Sequence, residues 1–342
     1  MRVVVTGATG NVGTALLREL ARRHHTLVGV ARRDPRSGPG DRGPDGVPVD
    51  VRWHTADVGT DPLDSVLAGA DALVHLAWMF QPTHDPDTTW RANAVGTRNV
   101  LAAASRAGVG VVVCASSVAA YSPSLDDEPV DESWPTDGPS PASYCREKAY
   151  VERALDAFEA THPDVRVVRV RPAFVFQRSA ASEQRRIFGA PGLRPWMLDR
   201  RLLPVLPVPA GLRLQTVHAD DLARVYAETV ERPVRGAFNV AADGVLRRDE
   251  LGEIFGARTV EAPQSVARAA LEGAWRVRLA GAPGYLFDAL LRVPVLATAR
   301  AKTELGWQPR HGAAEALAEM VTGAREGAGD STPPLQPDST RL

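Results

Sequence analysis

In the stretch SPASYCREKAY, residues 140–150, a phenol and an ammonium stand one helical turn apart, Tyr144 and Lys148. Spacing of i to i+4 puts both side chains on one helix face. A free tyrosine hydroxyl, with a pKa of about 10, transfers protons poorly at neutral pH. A neighbouring cation stabilises the phenolate and loosens the proton. Upstream, the apolar run GVVVCASSVAAY ends in two hydroxyls, Ser116 and Ser117. A serine, a phenol and an ammonium brought together suit proton transfer to or from an oxygen that the serine holds. The Tyr-x-x-x-Lys spacing alone is too short to mean much, so its weight comes from the elements around it.

Those elements alternate. RVVVTG, TLVGVA, DALVHLA, GVVVCASS, VRVVRVRP and GAFNVAA are continuous apolar runs, the pattern of strands buried on both faces. TALLRELARRH, GTRNVLAAASRAG and REKAYVERALDAFEATH carry apolar residues at helical spacing. Together they predict an α/β fold with a doubly wound parallel sheet, whose ligands sit beyond the carboxyl ends of the strands, where Ser117 falls. The first strand runs through TGATGNVG into a helix. Gly7, Gly10 and Gly13 have the spacing that turns the backbone tightly, lets it approach a pyrophosphate and packs helix on strand. Thr9, Asn11 and Val12 lie between them, at a helix N-terminus with free N–H groups. This predicts a dinucleotide site.

The second strand ends VGVARRDP, with Ala31 where a ribose-binding carboxylate would select NAD. Arg32 and Arg33 follow, and guanidinium groups suit a 2′-phosphate. NADP is therefore the expected cofactor, with NAD as the alternative. Asp57, followed by Val58 in HTADV, is a candidate acceptor for the adenine amino group or an ordinary turn aspartate.

The expected division has a dinucleotide-binding domain over 1–174 and 214–245. A smaller, mostly helical substrate lobe covers 175–213 and 246–325. The Pro- and Ser-rich residues 326–342 are read as a disordered tail, and residues 32–50 as a mobile loop. The apolar stretch LAGAPGYLFDALLRVPVLATA, broken by Pro283, Asp288, Arg292 and Pro294, reads as a core or pocket-lining helix rather than a membrane span. A formal net charge of -1 gives no reason to expect a nucleic acid or anionic membrane partner. Two cysteines without metal or redox spacing, and an N-terminus that reaches glycines before any apolar signal region, fit a cytoplasmic protein without a metal site.

From residue 1 to about 323 the chain resembles an extended short-chain dehydrogenase/reductase of the NAD(P)-dependent epimerase/dehydratase family. The resemblance rests on TGATGNVG, Asp57, VHLAW, NAVGTRNVL, ASSVAAY, YCREK, Arg171–Pro172, VHADDLA, FNVA and ELGWQP. It implies that Ser117 is the catalytic serine and Ser116 its structural neighbour, and that Tyr144 is the acid/base. Lys148 would bridge the nicotinamide ribose and tune the tyrosine. Leu76, Ala77 and Trp78 would pass along the cofactor, with Ala115, Pro172, Phe174 and Val175 near its nicotinamide end. Asn93 would help position the elements that frame the site, while His218, Asp220 and Asp221 read as structural. Relatives often dimerise through helices here near 88–107 and 143–161, so a homodimer is a possible partner state.

Departures from the family pattern bear on the substrate. Sugar-nucleotide enzymes commonly place an asparagine and a glycine where RPAFVFQ has Phe174 and Gln177, and an arginine where FDALL has none. Trp78, Met79 and Phe80 stand where polar residues are usual, and with Ser117, Val118 and Phe174 they suit a small, partly apolar substrate. Arg178, Arg185 and Arg186 partly offset this as potential phosphate partners, although a solvated helix face is the plainer reading. Three functions follow: a reductase acting on a carbonyl or secondary alcohol, which Ala31 and Arg32 favour; a sugar-nucleotide epimerase or dehydratase with retained cofactor; and a non-catalytic dinucleotide sensor, which the intact Ser117, Tyr144 and Lys148 disfavour.

Overall fold

Apolar runs without polar alternation have no face to give to water, and here they share one sheet. The computed structural model describes residues 1–35, 50–80, 85–124, 126–139, 141–189 and 193–337. Most of the expected 32–50 loop, and the chain beyond 337, lie outside these residues. Seven strands form the central sheet: β1 (Arg2–Thr6), β2 (Thr26–Ala31), β3 (Arg52–Thr55), β4 (Ala72–His75), β5 (Val111–Ala115), β6 (Arg166–Pro172) and β10 (Gly236–Val240). All pair in parallel, in the order β10-β6-β5-β4-β1-β2-β3. The winding reverses between β1 and β4, and a crevice opens at that point beyond the strand ends.

Both faces are covered, as the strand pattern requires. On one face the helices Asn11–Arg22 and Ala219–Glu231 bring Leu16, Leu17 and Leu20 together with Leu222, Tyr226 and Val230. On the other, Gly96–Arg106 and Ser143–Thr161 contribute Val100, Leu101, Val151, Leu155 and Phe158.

Beyond Pro172 the chain leaves the sheet. β7 (Phe174–Phe176) pairs with β9 (Thr216–His218), across the boundary expected between the two domains, and β8 (Val205–Pro209) pairs with β11 (Arg258–Ala262), a short parallel ladder within the lobe expected to be mostly helical. A separate core of Phe176, Val208, Leu246, Leu251, Leu317 and Val321 ties these ladders to the helices Arg248–Phe255 and Ala313–Glu326. Among the described residues no helix is long and apolar enough to cross a membrane.

The disordered tail expected from residue 326 needs correction over its first half. Glu326 ends a helix, and the following residues fold back on the N-terminal glycine turn, with Thr332 and Leu335 fully buried. Composition suggested disorder because polar and proline residues rarely bury enough surface. Here the buried Leu335 and hydrogen bonds within the turn, to Thr9 and from Arg186 and Ser182 seat the segment.

Candidate active site

The glycine turn is tight for reasons visible atom by atom. Gly7 has φ +68°, and a Cβ there would lie 2.6 Å from the Ala77 nitrogen. A Cβ on Gly13 would lie 2.3 Å from the Gly7 carbonyl oxygen, so the helix could not sit so close with any side chain. Gly10 differs: a Cβ there would meet only the Gly7 oxygen, at 3.4 Å, and would otherwise project into open space. Gly10 also caps the helix without a side-chain hydrogen bond, leaving the first N–H groups available to an anion. The turn is thus a cradle that a diphosphate fits.

Two cavities meet at this turn. One, of about 170 Å³, is lined by Gly7, Thr9, Gly10, Arg32, Arg33, Asp57, Val58, Leu76, Ala77 and Trp78. One oxygen of Asp57 accepts from the Gly59 N–H at 2.8 Å, so this residue is a turn cap as well as a wall. The other cavity, of about 430 Å³, joins Gly10, Asn11, Val12 and Gly13 to Ala115, Ser117, Tyr144, Lys148, Pro172 and Val175. Its far end is apolar, with Phe80, Val118, Phe174, Ile187, Leu271 and Phe287. The broken apolar stretch read as pocket-lining supplies Leu286, Phe287, Leu290 and Val293.

One residue expected at the site stands behind it. Asn93 is fully buried and reaches neither cavity. Its side chain instead holds the Met79 backbone, accepting from the N–H at 2.7 Å and donating to the carbonyl at 3.1 Å. Met79 lines the smaller cavity and, with Phe80, Tyr144 and Leu286, a small pocket beside the larger one. The three arginines considered for phosphate also serve elsewhere: Arg178 pairs with Glu326, Arg185 donates to the Leu193 carbonyl, and Arg186 donates to the Pro334 and Gln336 carbonyls.

Tyr144, Ser117 and Lys148 come together on the larger cavity. Lys148 Nζ donates to the Ala115 carbonyl at 2.8 Å and stands 3.4 Å from the Trp78 ring centroid and 6.0 Å from that of Tyr144. Burial holds the ammonium down to about 8, against the pull of Cys114, Glu152 and Glu147. Trp78 and Phe80 both meet Tyr144 edge to face, at 5.8 and 4.4 Å between centroids. The expected loosening of the phenol is reversed for the protein by itself. Burial pushes the Tyr144 hydroxyl well above its ordinary range, and a hydrogen bond with Ser117 only partly offsets this. Ser117 Oγ accepts from the Ala119 N–H at 3.1 Å, which fixes its direction.

Beneath this group lies a polar frame that the sequence did not reveal. Glu147, one residue before Lys148, accepts from Thr89 Oγ1 and Asn93 Nδ2, both at 2.7 Å, and so clamps the loop of Trp78, Met79 and Phe80 to the helix Ser143–Thr161. Ser116 donates to the buried Glu152 at 2.5 Å, and Arg171 grips both oxygens of Glu152 at 2.8 Å. Arg171 also donates to Tyr121, whose hydroxyl donates to Asn239 at 2.6 Å. His75 spans Thr6 and Thr97 at 2.7 and 3.0 Å; burial and then Lys148 push it down to about 3, so it stays neutral. His218 caps its helix through the Asp220 N–H, and Asp221 accepts from the Arg310 and His311 N–H groups, both structural roles.

Comparison with known proteins agrees with this construction. An uncharacterized protein of Mycobacterium tuberculosis is 28% identical over 328 residues, covering 95% of this chain; the chain spans 30% of that protein's length. A putative dihydroflavonol 4-reductase of Synechocystis is 34% identical over 134 residues, 38% of this chain and 36% of that one. A 4-hydroxy-2-methyl-3-oxo-4-farnesyl-3,4-dihydroquinoline-1-oxide ketoreductase of Stigmatella aurantiaca is 29% identical over 180 residues, 52% of this chain and 51% of its own. Among solved structures, gox2253 aligns with TM-score 0.72 at 24% identity, over 95% of this chain and 98% of that one. The UDP-glucose 4-epimerase of Thermotoga maritima aligns with TM-score 0.70 at 18% identity, over 95% and 99%. At such identities the structural likeness concerns the fold. The model of one family matches residues 3–241, most of the sequence, and the chain belongs to the NAD dependent epimerase/dehydratase family.

Proposed function

We propose that this NAD(P)-dependent enzyme reduces a carbonyl group on a partly apolar substrate, with NADP(H) as its preferred cofactor. The observation that carries the reading is one continuous cavity. It runs from the glycine turn past Ser117, Tyr144 and Lys148 into an apolar end.

The chemistry that the dinucleotide supplies when bound is hydride transfer at the nicotinamide ring. Gly7, Gly10 and the free N–H groups after Gly10 would hold its diphosphate, and Arg32 and Arg33 would meet a 2′-phosphate. Ser117 would hold the substrate oxygen. Tyr144 would give that oxygen its proton as negative charge develops on it. A phenol kept protonated by burial suits this donor role. The Lys148 ammonium would steady the phenolate left behind.

Among the described residues lining the larger cavity, only Lys148 and Glu183 carry charge, which gives a second diphosphate little to bind. That favours a substrate such as the ketones implied by two relatives' names over a sugar nucleotide. The test is to mix the protein with NADPH or NADH and ketones bearing aromatic or long alkyl groups, and to follow loss of reduced nicotinamide. Turnover with such ketones, faster with NADPH, is expected. Interconversion of UDP-sugars on a cofactor that never leaves the protein would overturn the reading.

A further inference from the structure

Thr332, 323 residues beyond Thr9 in the sequence, is fully buried and donates from Oγ1 to the Thr9 carbonyl at 2.9 Å. That carbonyl belongs to the glycine turn. The two residues that follow, Pro333 and Pro334, line the same 170 Å³ cavity as Arg32, Arg33, Asp57 and Val58. We propose that residues 330–335 are a further wall of the dinucleotide site, closing over its adenosine half and slowing release of the nucleotide; this rests on the dinucleotide reading above.

The segment is built rather than draped. The Asp330 N–H donates to the Leu335 carbonyl at 2.9 Å and the Leu335 N–H to the Thr332 carbonyl at 3.0 Å, closing a turn on itself. Gly329 permits that closure, since a Cβ there would lie 2.3 Å from the Leu335 oxygen. Leu335 is fully buried and anchors the turn from below. Arg186 donates to the carbonyls of Pro334 and Gln336 at 2.8 and 3.0 Å, and the Ser182 N–H donates to the Ala328 carbonyl at 3.0 Å. Both contacts come from the helix Ala181–Phe188, which also borders the larger cavity through Glu183, Gln184 and Ile187.

The chemistry of the wall fits an adenosine. Two consecutive prolines carry no N–H and hold rigid ring faces, an apolar surface for a flat base. The Asp330 carboxylate accepts from the Ser331 N–H at 2.6 Å, so its charge is engaged within its own turn. Arg32 and Arg33, which line the same cavity, would remain the pole for phosphate. A nucleotide between these walls would have to part the Thr332–Thr9 contact or slide past the prolines to leave.

Three chains test this: the full chain, one ending at Gly327, and the full chain with Thr332→Val and Pro334→Ala. NADPH, adenosine 2′,5′-bisphosphate and reduced nicotinamide mononucleotide serve as probes, with affinity and dissociation rate measured for each. The shortened chain should release NADPH and the adenosine bisphosphate about tenfold faster, with the nicotinamide fragment unaffected. The double variant should move in the same direction, which keeps the test alive if the shortened chain fails to fold. Equal release of the bisphosphate from the full chain and the double variant would overturn the proposal, and so would tighter binding after shortening. A full chain that binds no dinucleotide at all would defeat the site reading beneath it, and is told apart by the missing signal before any variant is made.

Discussion

The Lys148 ammonium lies 3.4 Å from the centre of the Trp78 indole while it donates to the Ala115 carbonyl at 2.8 Å. Water normally stabilises an ammonium; in this buried position the carbonyl and the electron-rich ring face take over part of that work. Trp78 is therefore an electrostatic support for the Lys148 ammonium as well as a cavity wall. A cation over an aromatic face is worth about 0.5–2 kcal/mol, which corresponds to roughly half to one and a half pH units.

Activity that needs the Lys148 charge should fall as pH rises through about 8. Trp78→Leu should shift that fall downward by about half a unit or more, and Lys148→Arg should move it up out of range. The pH dependence of kcat/KM measures both. An unchanged alkaline limb in Trp78→Leu would separate the ring from the lysine's charge. Stability carries the same signature. The folded chain releases this proton near 8 while an unfolded lysine holds it to about 10.5, so the unfolded state binds more protons between those values. The lysine's contribution to stability therefore rises with pH across that window.

Arg32 and Arg33 share a cavity rim with Ala31, where an acid would repel a 2′-phosphate. Arg32→Ala should weaken NADPH binding about tenfold or more, the worth of a charge-assisted hydrogen bond, while leaving NADH nearly unchanged. Titration of both cofactors decides the matter. Equal losses for the two would remove the basis for an NADP preference.

Glu152 is fully buried between Arg171 and Ser116, with Arg169 nearby at 3.5 Å. Removing one partner strands the other in a dry site. Arg171→Met should cost about 3–5 kcal/mol of folding stability, measurable by denaturant unfolding. With Ser116 the pair ties the ends of β5 and β6 to the helix Ser143–Thr161, so a loss below about 1 kcal/mol would show that this frame is not what seats Ser116 and its neighbour Ser117.

Gly13→Ala tests the cradle. A new Cβ would lie 2.3 Å from the Gly7 oxygen and 2.7 Å from the Ala8 carbonyl carbon, both backbone atoms that cannot rotate away. The helix must back off from the turn, lowering stability by about 1–3 kcal/mol and weakening any dinucleotide. Gly10→Ala, whose Cβ meets little of the protein, should spare stability and still weaken the nucleotide. Stability losses of equal size in the two variants would contradict that division.

Where a residue type and its spacing were enough, the sequence was readable. Most of the runs from Val3 to Val240 read as buried strands because they offered water no polar face; in the run ending at Pro172, Arg169 and Arg171 are buried against Glu152. Tyr144 and Lys148 were legible because one helical turn brings them together. Asn93 was placed with the site, yet it acts from behind through Met79. Its partner Glu147 lies 54 residues away, and no local pattern announces a contact of that range. The same limit hid the tail: Thr332 meets Thr9 only once the whole chain has closed. Trp78 looked like an aromatic of the substrate loop, and its place against Lys148 depended on the side chain's direction, which spacing does not give.

The claim on which the enzyme reading turns is that Tyr144 hands a proton to the substrate oxygen. A single turnover of NADPH with a reducible ketone, comparing wild type with Tyr144→Phe, measures that step. The rate should fall at least about a hundredfold, as for loss of a general acid, while the dissociation constant for NADPH stays within about twofold. A phenylalanine variant that turns over at the wild-type rate would contradict it.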